Sequence, residues 1–176
     1  ALRFTLLSMA SPGRDVKLSE DRVKGYRNFL NKIWNANNFL IQNDCKFENI
    51  ETPNDLKLNI NKWIFVEFTN TNEKIKKSID SYRFDEAARI AYQFVWHSFC
   101  DWYLELSKTV FYSENNENIE ETRNVASFIF TQILVILHPF IPFLTEEIWL
   151  KNKLDKDGND FLMLKNWSEA SSNKDK

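Results

Sequence analysis

Apolar side chains recur along most of the chain at intervals of three and four residues, the spacing that places them on one face of a helix. The pattern is clearest in residues 85–108, where apolar residues occupy positions 88, 91, 92, 95, 99, 102, 103 and 106. Similar spacing predicts helices over residues 1–10, 19–42, 59–79 and 119–137, and a short sixth helix near residue 145. Gly and Pro together are too few for the tight turns of an all-β fold. We therefore predict an all-α fold, a helical bundle with antiparallel neighbours.

Residues suited to helix ends support these boundaries. Ser19 can accept a hydrogen bond from the unpaired N–H groups at the start of the second helix, and Thr145 is the corresponding cap of the sixth helix. After the sixth helix, we expect a brief apolar patch within residues 156–167 to pack back on the bundle. The polar residues 168–176 are expected to form a disordered tail. The domain then covers residues 1–167.

The predicted fourth helix, residues 85–108, should lie at the centre of the bundle. Extra rings at Phe94 and Trp96 widen its apolar stripe, and aromatic residues make up 15% of the whole chain. On the period of an α-helix, Trp102 falls on the buried side. We therefore expect truncation of Trp102 to alanine to destabilise the fold by about 3–5 kcal/mol.

Charge is distributed unevenly, although the formal net charge is only −2. Residues 1–42 carry seven basic and three acidic side chains, whereas residues 43–176 carry 16 basic and 22 acidic ones. The overall balance argues against a generic nucleic-acid coat. The asymmetry nevertheless indicates one face suited to an anion on an otherwise acidic body.

The sequence lacks the patterns of metal sites, membrane spans and catalytic centres. Cys45 and Cys100 stand far apart and both His residues are isolated, so we expect no zinc site and a reducing cytosol, with a disulfide left open. No run of about eighteen apolar residues predicts a membrane span. We find no acid–base dyad, nucleophile triad or glycine-rich phosphate loop, and expect His97 and His138 to be structural. This chain alone should need no cofactor and catalyse no reaction.

The second helix separates into two arcs when its residues are placed at steps of about 100°. One arc is mainly apolar and should face the core, although it includes Asn37. From Lys24 onward, the opposite arc has no acidic residue and contains only amides, cations and one ring: Lys24, Arg27, Asn28, Asn31, Lys32, Asn35, Asn38 and Phe39.

Two explanations of the polar arc stay open. The first is composition, because asparagine makes up 20 of the 176 residues and would enter any polar arc. The second is RNA recognition, in which cations hold phosphates while amides bond to base edges. Phe39 could stack on an unpaired base or pack under a neighbouring segment. On the fourth helix, Asp101, Glu105 and Lys108 are expected to form a solvated ion-pair face.

Three stretches of the sequence are similar to a known family. They are PGRDVKLSEDRVKGYRNFLNKIWNANNFL around the second helix, FCDWYLELSK in the fourth and HPFIPFLTEEIWL at the sixth. The last stretch fits several class I aminoacyl-tRNA synthetases, including those for isoleucine and leucine, whereas the combination resembles the valyl-tRNA synthetases. The resemblance covers about residues 1–167. It corresponds to the anticodon-binding helical bundle of class Ia synthetases, which follows the catalytic domain.

The resemblance implies a longer parent enzyme, a cytoplasmic monomer that activates valine with ATP and Mg²⁺ and attaches it to valine tRNA. The HIGH-type and KMSKS-type catalytic signatures are absent from this sequence, so the catalytic and editing domains are expected upstream. A first residue other than Met also suggests a fragment. The expected partners are the anticodon stem-loop of valine tRNA and the upstream catalytic domain of the same chain.

The resemblance also assigns RNA contact to the polar arc of the second helix. Its three cations would neutralise phosphates and its asparagines would reach loop bases. Arg14 and Lys17, in the preceding loop, could approach the stem or the catalytic domain. Two positions depart from the family, since Asn38 stands where arginine is common and Glu67 where a basic residue is expected. Alternative functions are the anticodon-binding domain of an isoleucyl-tRNA synthetase, and a helical protein-interaction module with a basic face.

Overall fold

The computed structural model describes residues 1–11, 13, 15–16, 18–47, 50–152, 154 and 160–167. Within those residues the chain forms six helices and no strand, so the predicted all-α fold is confirmed. The helices are α1 (Leu2–Met9), α2 (Glu20–Gln42), α3 (Asn59–Asp80), α4 (the consecutive segments Phe84–Gln93, Phe94–Tyr103 and Leu104–Phe111), α5 (Asn116–Leu137) and α6 (Pro142–Lys151). A 3₁₀ turn follows at Leu162–Leu164. Arg14, Lys17 and the predicted tail at 168–176 lie outside the described residues.

The two predicted helix caps have different outcomes. Ser19 Oγ accepts a hydrogen bond from the Arg22 N–H at 3.4 Å, which confirms the cap of α2. The cap predicted for α6 is wrong, because that helix begins at Pro142 and Thr145 is buried inside it. Proline suits the first helical position, since it lacks the N–H that would be unpaired there and its φ is already helical. The Thr145 hydroxyl donates instead to the Ile141 carbonyl at 3.1 Å.

Aromatic rings fill the core around α4. Phe4 of α1, Phe29 of α2 and Phe68 of α3 are fully buried. The Phe4 and Phe29 ring centroids lie 5.2 Å apart, a distance typical of favourable aromatic pairs. α4 contacts α1, α2, α3 and α5, so the prediction that it is central to the bundle is confirmed.

The residues after α6 return to the bundle, as the sequence predicts. Leu162 is buried, and its backbone N–H donates to Glu146 Oε1 of α6 at 3.0 Å. The Trp167 indole N–H donates to Asn72 Oδ1 of α3 at 2.8 Å. These bonds attach the 3₁₀ turn and the residues after it to two different helices.

The middle of α4 is a π-helix, which changes the side of the helix on which later residues lie. Its hydrogen bonds span five residues; the Leu104 N–H, for example, donates to the Phe99 carbonyl. The buried positions accordingly advance by five and then four, from Phe94 to Phe99 to Tyr103. Trp102 is 63% exposed, so its predicted burial is wrong. The prediction assumed 3.6 residues per turn, whereas the wider turn rotates Trp102 out of the core.

Asp85 joins the start of α4 to the end of α1. Its carboxylate accepts hydrogen bonds from Arg83 Nε at 3.1 Å and Ser11 Oγ at 2.9 Å. The Arg83 bond, and then the Ser11 bond, lower the pKa of Asp85 to about 2 against the opposing effect of desolvation. Because the folded-state pKa lies below the unfolded value, this stabilisation is present above about pH 4 and is lost as the pH falls towards 2.

Replacing Asp85 with asparagine should therefore lower the free energy of unfolding by about 1–2 kcal/mol at neutral pH. The difference from the unmodified chain should shrink towards acid, because the native carboxylate becomes protonated there. Urea unfolding at neutral pH and near pH 3 measures both values. Asp80→Asn, at an exposed carboxylate without an ion pair in the described chain, is the control and should change stability little. If Asp85→Asn lowered the free energy of unfolding equally at both pH values, the lowered pKa of Asp85 would be contradicted.

Candidate nucleic-acid interface

The polar arc of α2 faces outward along most of its length. Lys24, Arg27, Asn28, Asn31 and Asn35 are exposed. The opposite side of the helix, represented by the fully buried Phe29, Ile33 and Leu40, packs in the core. We use the name polar stripe for the outward residues together with the half-buried neighbours predicted to join them: Lys24, Arg27, Asn28, Asn31, Lys32, Asn35 and Asn38.

The asparagine on the other side of α2 has a structural role. Asn37 is fully buried, as its place in the apolar arc predicts. Its Oδ1 accepts a hydrogen bond from Asn152 Nδ2 at 2.7 Å, just after the end of α6. The bond joins α2 to α6, which accounts for one of the five asparagines within residues 25–40 without any ligand.

Carboxylates reach the polar stripe from the first turn of α2 and from α4. Lys32 Nζ lies 2.9 Å from Asp101 Oδ1 of α4, and the hydrogen bond to Asp101 raises the pKa of Lys32. Lys24 Nζ lies 3.6 Å from Asp21 Oδ1, one turn earlier in α2, and both side chains are highly exposed. The prediction of a face free of carboxylates is therefore wrong. It counted the arc from Lys24 onward, which omits Asp21, and a projection of one helix also omits Asp101 on a neighbouring helix. Arg27 makes no ion pair within the described residues.

Phe39, at the end of the polar arc, packs against α4. It is half-buried, and its ring centroid lies 6.1 Å from that of Phe111. Lys108 Nζ lies 5.7 Å from the same ring. Of the two alternatives for Phe39, packing under a neighbouring segment describes this side chain. Contact between Phe39 and RNA stays a prediction.

The junction of α2 and α4 forms a small polar network that the sequence did not predict. Asp101 Oδ2 lies 3.3 Å from His97 Nδ1, while Oδ1 of the same carboxylate bonds Lys32. Only the pair Glu105–Lys108, at 2.7 Å, forms the predicted ion-pair face on α4 itself. The spacing of Asp101 relative to His97 was visible in the sequence, but the approach of Lys32 depends on how the two helices pack.

A groove of about 680 Å³ between α3 and α4 is a second concentration of charge. Four cations line it, two from α3, one from the turn between the helices and one from α4: Lys74, Lys77, Arg83 and Arg89. Glu67 and Glu86 also line it. The run KIKK at 74–77 shows in the sequence that α3 carries clustered lysines. The run alone does not indicate that arginines from another part of the chain line the same groove.

The described residues give little support to a reactive thiol, a metal site or a membrane-spanning helix. Cys45 and Cys100 are free and buried, and burial raises the pKa of each thiol to about 12. Among the residues that the structure describes, no three His, Cys, Asp or Glu side chains are grouped to hold a metal ion. No helix in the same residues combines the length and the apolar character needed to cross a membrane.

Comparison with known proteins gives one consistent family. Residues 61–176 match the model of the family described as the anticodon-binding domain of tRNA ligase. The chain is 65% identical over 99% of its length to a valine–tRNA ligase of Pelagibacter ubique, covering 20% of that protein. It is 44% identical to the valine–tRNA ligase of Agrobacterium fabrum and 45% identical to that of Buchnera aphidicola, over 96% of the chain and 18% of each relative.

The chain thus spans about a fifth of the length of these relatives. The family model covers well over half of the chain, from the first turn of α3 through α6, and the relatives extend the similarity through α1 and α2. The observed all-α bundle agrees with both results. The chain belongs to the family of anticodon-binding domains of tRNA ligases.

Proposed function

We propose that the chain is the anticodon-recognition domain of a valine–tRNA ligase and binds the anticodon stem-loop of valine tRNA. The observation that carries the proposal is an exposed stripe of amides and cations on α2 in a chain 65% identical to a valine–tRNA ligase. The remainder of a longer, cytoplasmic and monomeric enzyme supplies the catalytic domain, which activates valine with ATP and Mg²⁺. This domain contributes recognition rather than chemistry.

Within the polar stripe, cations and amides have different tasks. Arg27 and Lys24 neutralise phosphates, which gives affinity that does not depend on sequence. The side-chain amides of Asn28, Asn31 and Asn35 donate and accept at base edges, which distinguishes one base from another. The bases of a tRNA loop are unpaired and therefore accessible to such contacts.

Two stripe cations differ in how readily they can meet a phosphate. The Lys24–Asp21 pair is highly exposed, so exchange of Asp21 for a phosphate costs little. Lys32 is held by Asp101 at 2.9 Å and is half-buried, so it contributes less as long as that pair persists. Arg14 and Lys17 keep their proposed contacts with the stem or the catalytic domain. Asn38 and Phe39 border the same surface.

Titration with two RNA hairpins tests the proposal. One hairpin carries the valine anticodon and the other an altered anticodon, each measured at several salt concentrations. Phosphate contacts make binding weaken with salt, and base recognition makes the valine hairpin bind more tightly. Equal binding to both would leave only electrostatic attraction to RNA and contradict anticodon recognition. Preference for an isoleucine anticodon would support the isoleucyl alternative.

Substitutions in the stripe should separate its two tasks. Arg27→Ala should weaken both hairpins alike and reduce the salt slope by about one, because one phosphate is no longer neutralised. Asn35→Ala should reduce the preference for the valine hairpin by about 1–3 kcal/mol. Asn124→Ala, an exposed amide on α5, is the matched control and should change neither quantity. Undiminished preference in Asn35→Ala would place the base-recognising surface elsewhere.

A further inference from the structure

A second set of cations lies away from the polar stripe, in three depressions that share lining residues. The α3/α4 groove, of about 680 Å³, shares Arg83 and Arg89 with a depression of about 280 Å³ that reaches α1 and α2. That depression shares Tyr26 and Tyr92 with a third, of about 400 Å³, which Arg22 also lines. The three therefore form one continuous path across the surface. We call it the basic trough, after its five cations Arg22, Lys74, Lys77, Arg83 and Arg89.

We propose that the basic trough binds the sugar–phosphate backbone of the RNA whose loop contacts the polar stripe. The inference rests on the proposed function for the identity of that RNA. It adds a second contact surface, formed by α3, α4 and the first turns of α2, to the recognition surface on α2.

The charge of the trough favours a polyanion. Arg22, Lys74 and Lys77 make no ion pair within the residues described. Lys74 and Lys77 are three residues apart on α3, so both face the groove from the same side of the helix. Unpaired cations lining a concave surface concentrate positive potential and attract anions from solution.

The paired cations of the trough remain able to contribute. Arg89 Nη2 lies 3.7 Å from Glu86 Oε1, a long and exposed pair that can be exchanged for a phosphate at little cost. The Arg83 guanidinium is paired with Asp85 at 3.1 Å, so Arg83 shapes the wall of the trough more than it binds an anion. Glu67 lines the α3/α4 groove at the end far from Arg83. Its negative charge repels a polyanion and so limits how far along the groove the polyanion can extend.

The shape of the trough favours a polymer over a small anion. Small-molecule sites are mostly apolar pockets that enclose the ligand, whereas here cations are spaced along connected depressions. One end lies at Arg22 and Gly25, within one turn of Lys24 and Arg27 of the polar stripe. Apart from the adjoining residues and the nearby backbone of α2 itself, no atom lies within 4 Å of the position that a Cβ on Gly25 would occupy, so the surface there is open. A backbone leaving the stripe can enter the trough at this end.

A pair of double variants on α3 tests the inference. Lys74→Ala with Lys77→Ala removes two trough cations, and Lys62→Ala with Lys76→Ala removes two lysines from α3 outside the trough lining. Both doubles change the net charge equally, so a general electrostatic effect is matched. All four lysines are exposed, and thermal unfolding of each double variant verifies that the fold is retained.

The readout is the affinity for the valine hairpin between about 50 and 200 mM salt. The trough variant should bind about tenfold more weakly at the lower salt and have a salt slope smaller by about two, one for each phosphate that the lysines no longer neutralise. The control double variant should stay within about twofold of the unmodified chain. A loop-only oligonucleotide, which lacks the stem backbone, should not distinguish the two variants.

Each outcome decides between the trough and the proposed function. If the trough variant behaves like the control while the chain still prefers the valine hairpin, the trough inference is overturned and the proposed function stands. If the chain shows no anticodon preference but the trough variant loses affinity and salt slope, the trough binds RNA backbone and the proposed function fails. No hairpin binding by the unmodified chain would overturn both.

Discussion

Phe99→Ala is expected to lower the free energy of unfolding by about 3–5 kcal/mol, whereas Trp102→Ala should change it by no more than about 0.5 kcal/mol. Phe99 is fully buried, and its ring centroid lies 5.7 Å from that of Tyr103 and 6.1 Å from that of Phe130. Its removal leaves a cavity between α4 and α5. Trp102 is 63% exposed, so its truncation mainly affects contacts with solvent.

Urea unfolding of the two variants measures the difference, and it tests the π-helix directly. The sequence alone predicts that Trp102 is buried, because it assumes a regular α-helix through residues 94–103. A large loss for Trp102→Ala would mean that α4 keeps the α-helical period. A small loss for Phe99→Ala would contradict the full burial of this ring, which both helical periods give.

Asn61→Ala is expected to lower the free energy of unfolding by about 2–3 kcal/mol, because it breaks a buried hydrogen-bond network. Asn61 Oδ1 accepts from the Tyr103 hydroxyl at 2.9 Å. Its Nδ2 donates to Glu121 Oε1 at 2.9 Å and to Thr122 Oγ1 at 3.0 Å. Alanine would leave the fully buried Tyr103 hydroxyl without its main acceptor and remove a donor from Glu121.

The Glu121 carboxylate extends the same network to the start of α3. It accepts from the backbone N–H groups of Lys57 at 2.8 Å and Leu58 at 3.0 Å. Desolvation by burial would raise the pKa of Glu121, but the bonds from Asn61 and these backbone groups lower it overall. Asn61 of α3 therefore joins three helices, because it bonds Tyr103 of α4 and both Glu121 and Thr122 of α5.

A double-mutant cycle with Tyr103→Phe separates the network from simple loss of volume. If Asn61 and Tyr103 are coupled, the double variant should lose less stability than the sum of the two single variants. Asn70→Ala, an exposed asparagine on the same helix, is the control and should cost no more than about 0.5 kcal/mol. Strict additivity of Asn61→Ala and Tyr103→Phe would contradict the coupling.

The positions of most helices were predictable from the sequence, because each helix repeats apolar residues at intervals of three and four. The spacing of apolar residues identified all six helices in order, and Ser19 identified the start of α2. The start of α6 was placed at Thr145 because a polar cap was given more weight than Pro142. The position of Trp102 was not predictable from a repeat of 3.6 residues, since that repeat assumes the regular helix that the π-helix replaces.

The candidate site was predictable only in part. The outward direction of Arg27 and Asn35 follows from the buried residues on the other side of α2, and it was predicted correctly. The approach of Asp101 to Lys32 and the packing of Phe39 on α4 were not, because both depend on a helix about seventy residues away in the sequence.

The sequence by itself determined the all-α class, the helix order and the polar stripe of α2, because each depends on the period of side chains within one helix. The tertiary structure alone decided which groups meet between helices: Lys32 with Asp101, Asn37 with Asn152, and Lys74 with Arg89 across one groove. These arrangements depend on the packing of the helices, and the position of Asp101 also depends on the extra rotation of the π-helix. A linear pattern contains neither quantity, so the basic trough became visible only in three dimensions.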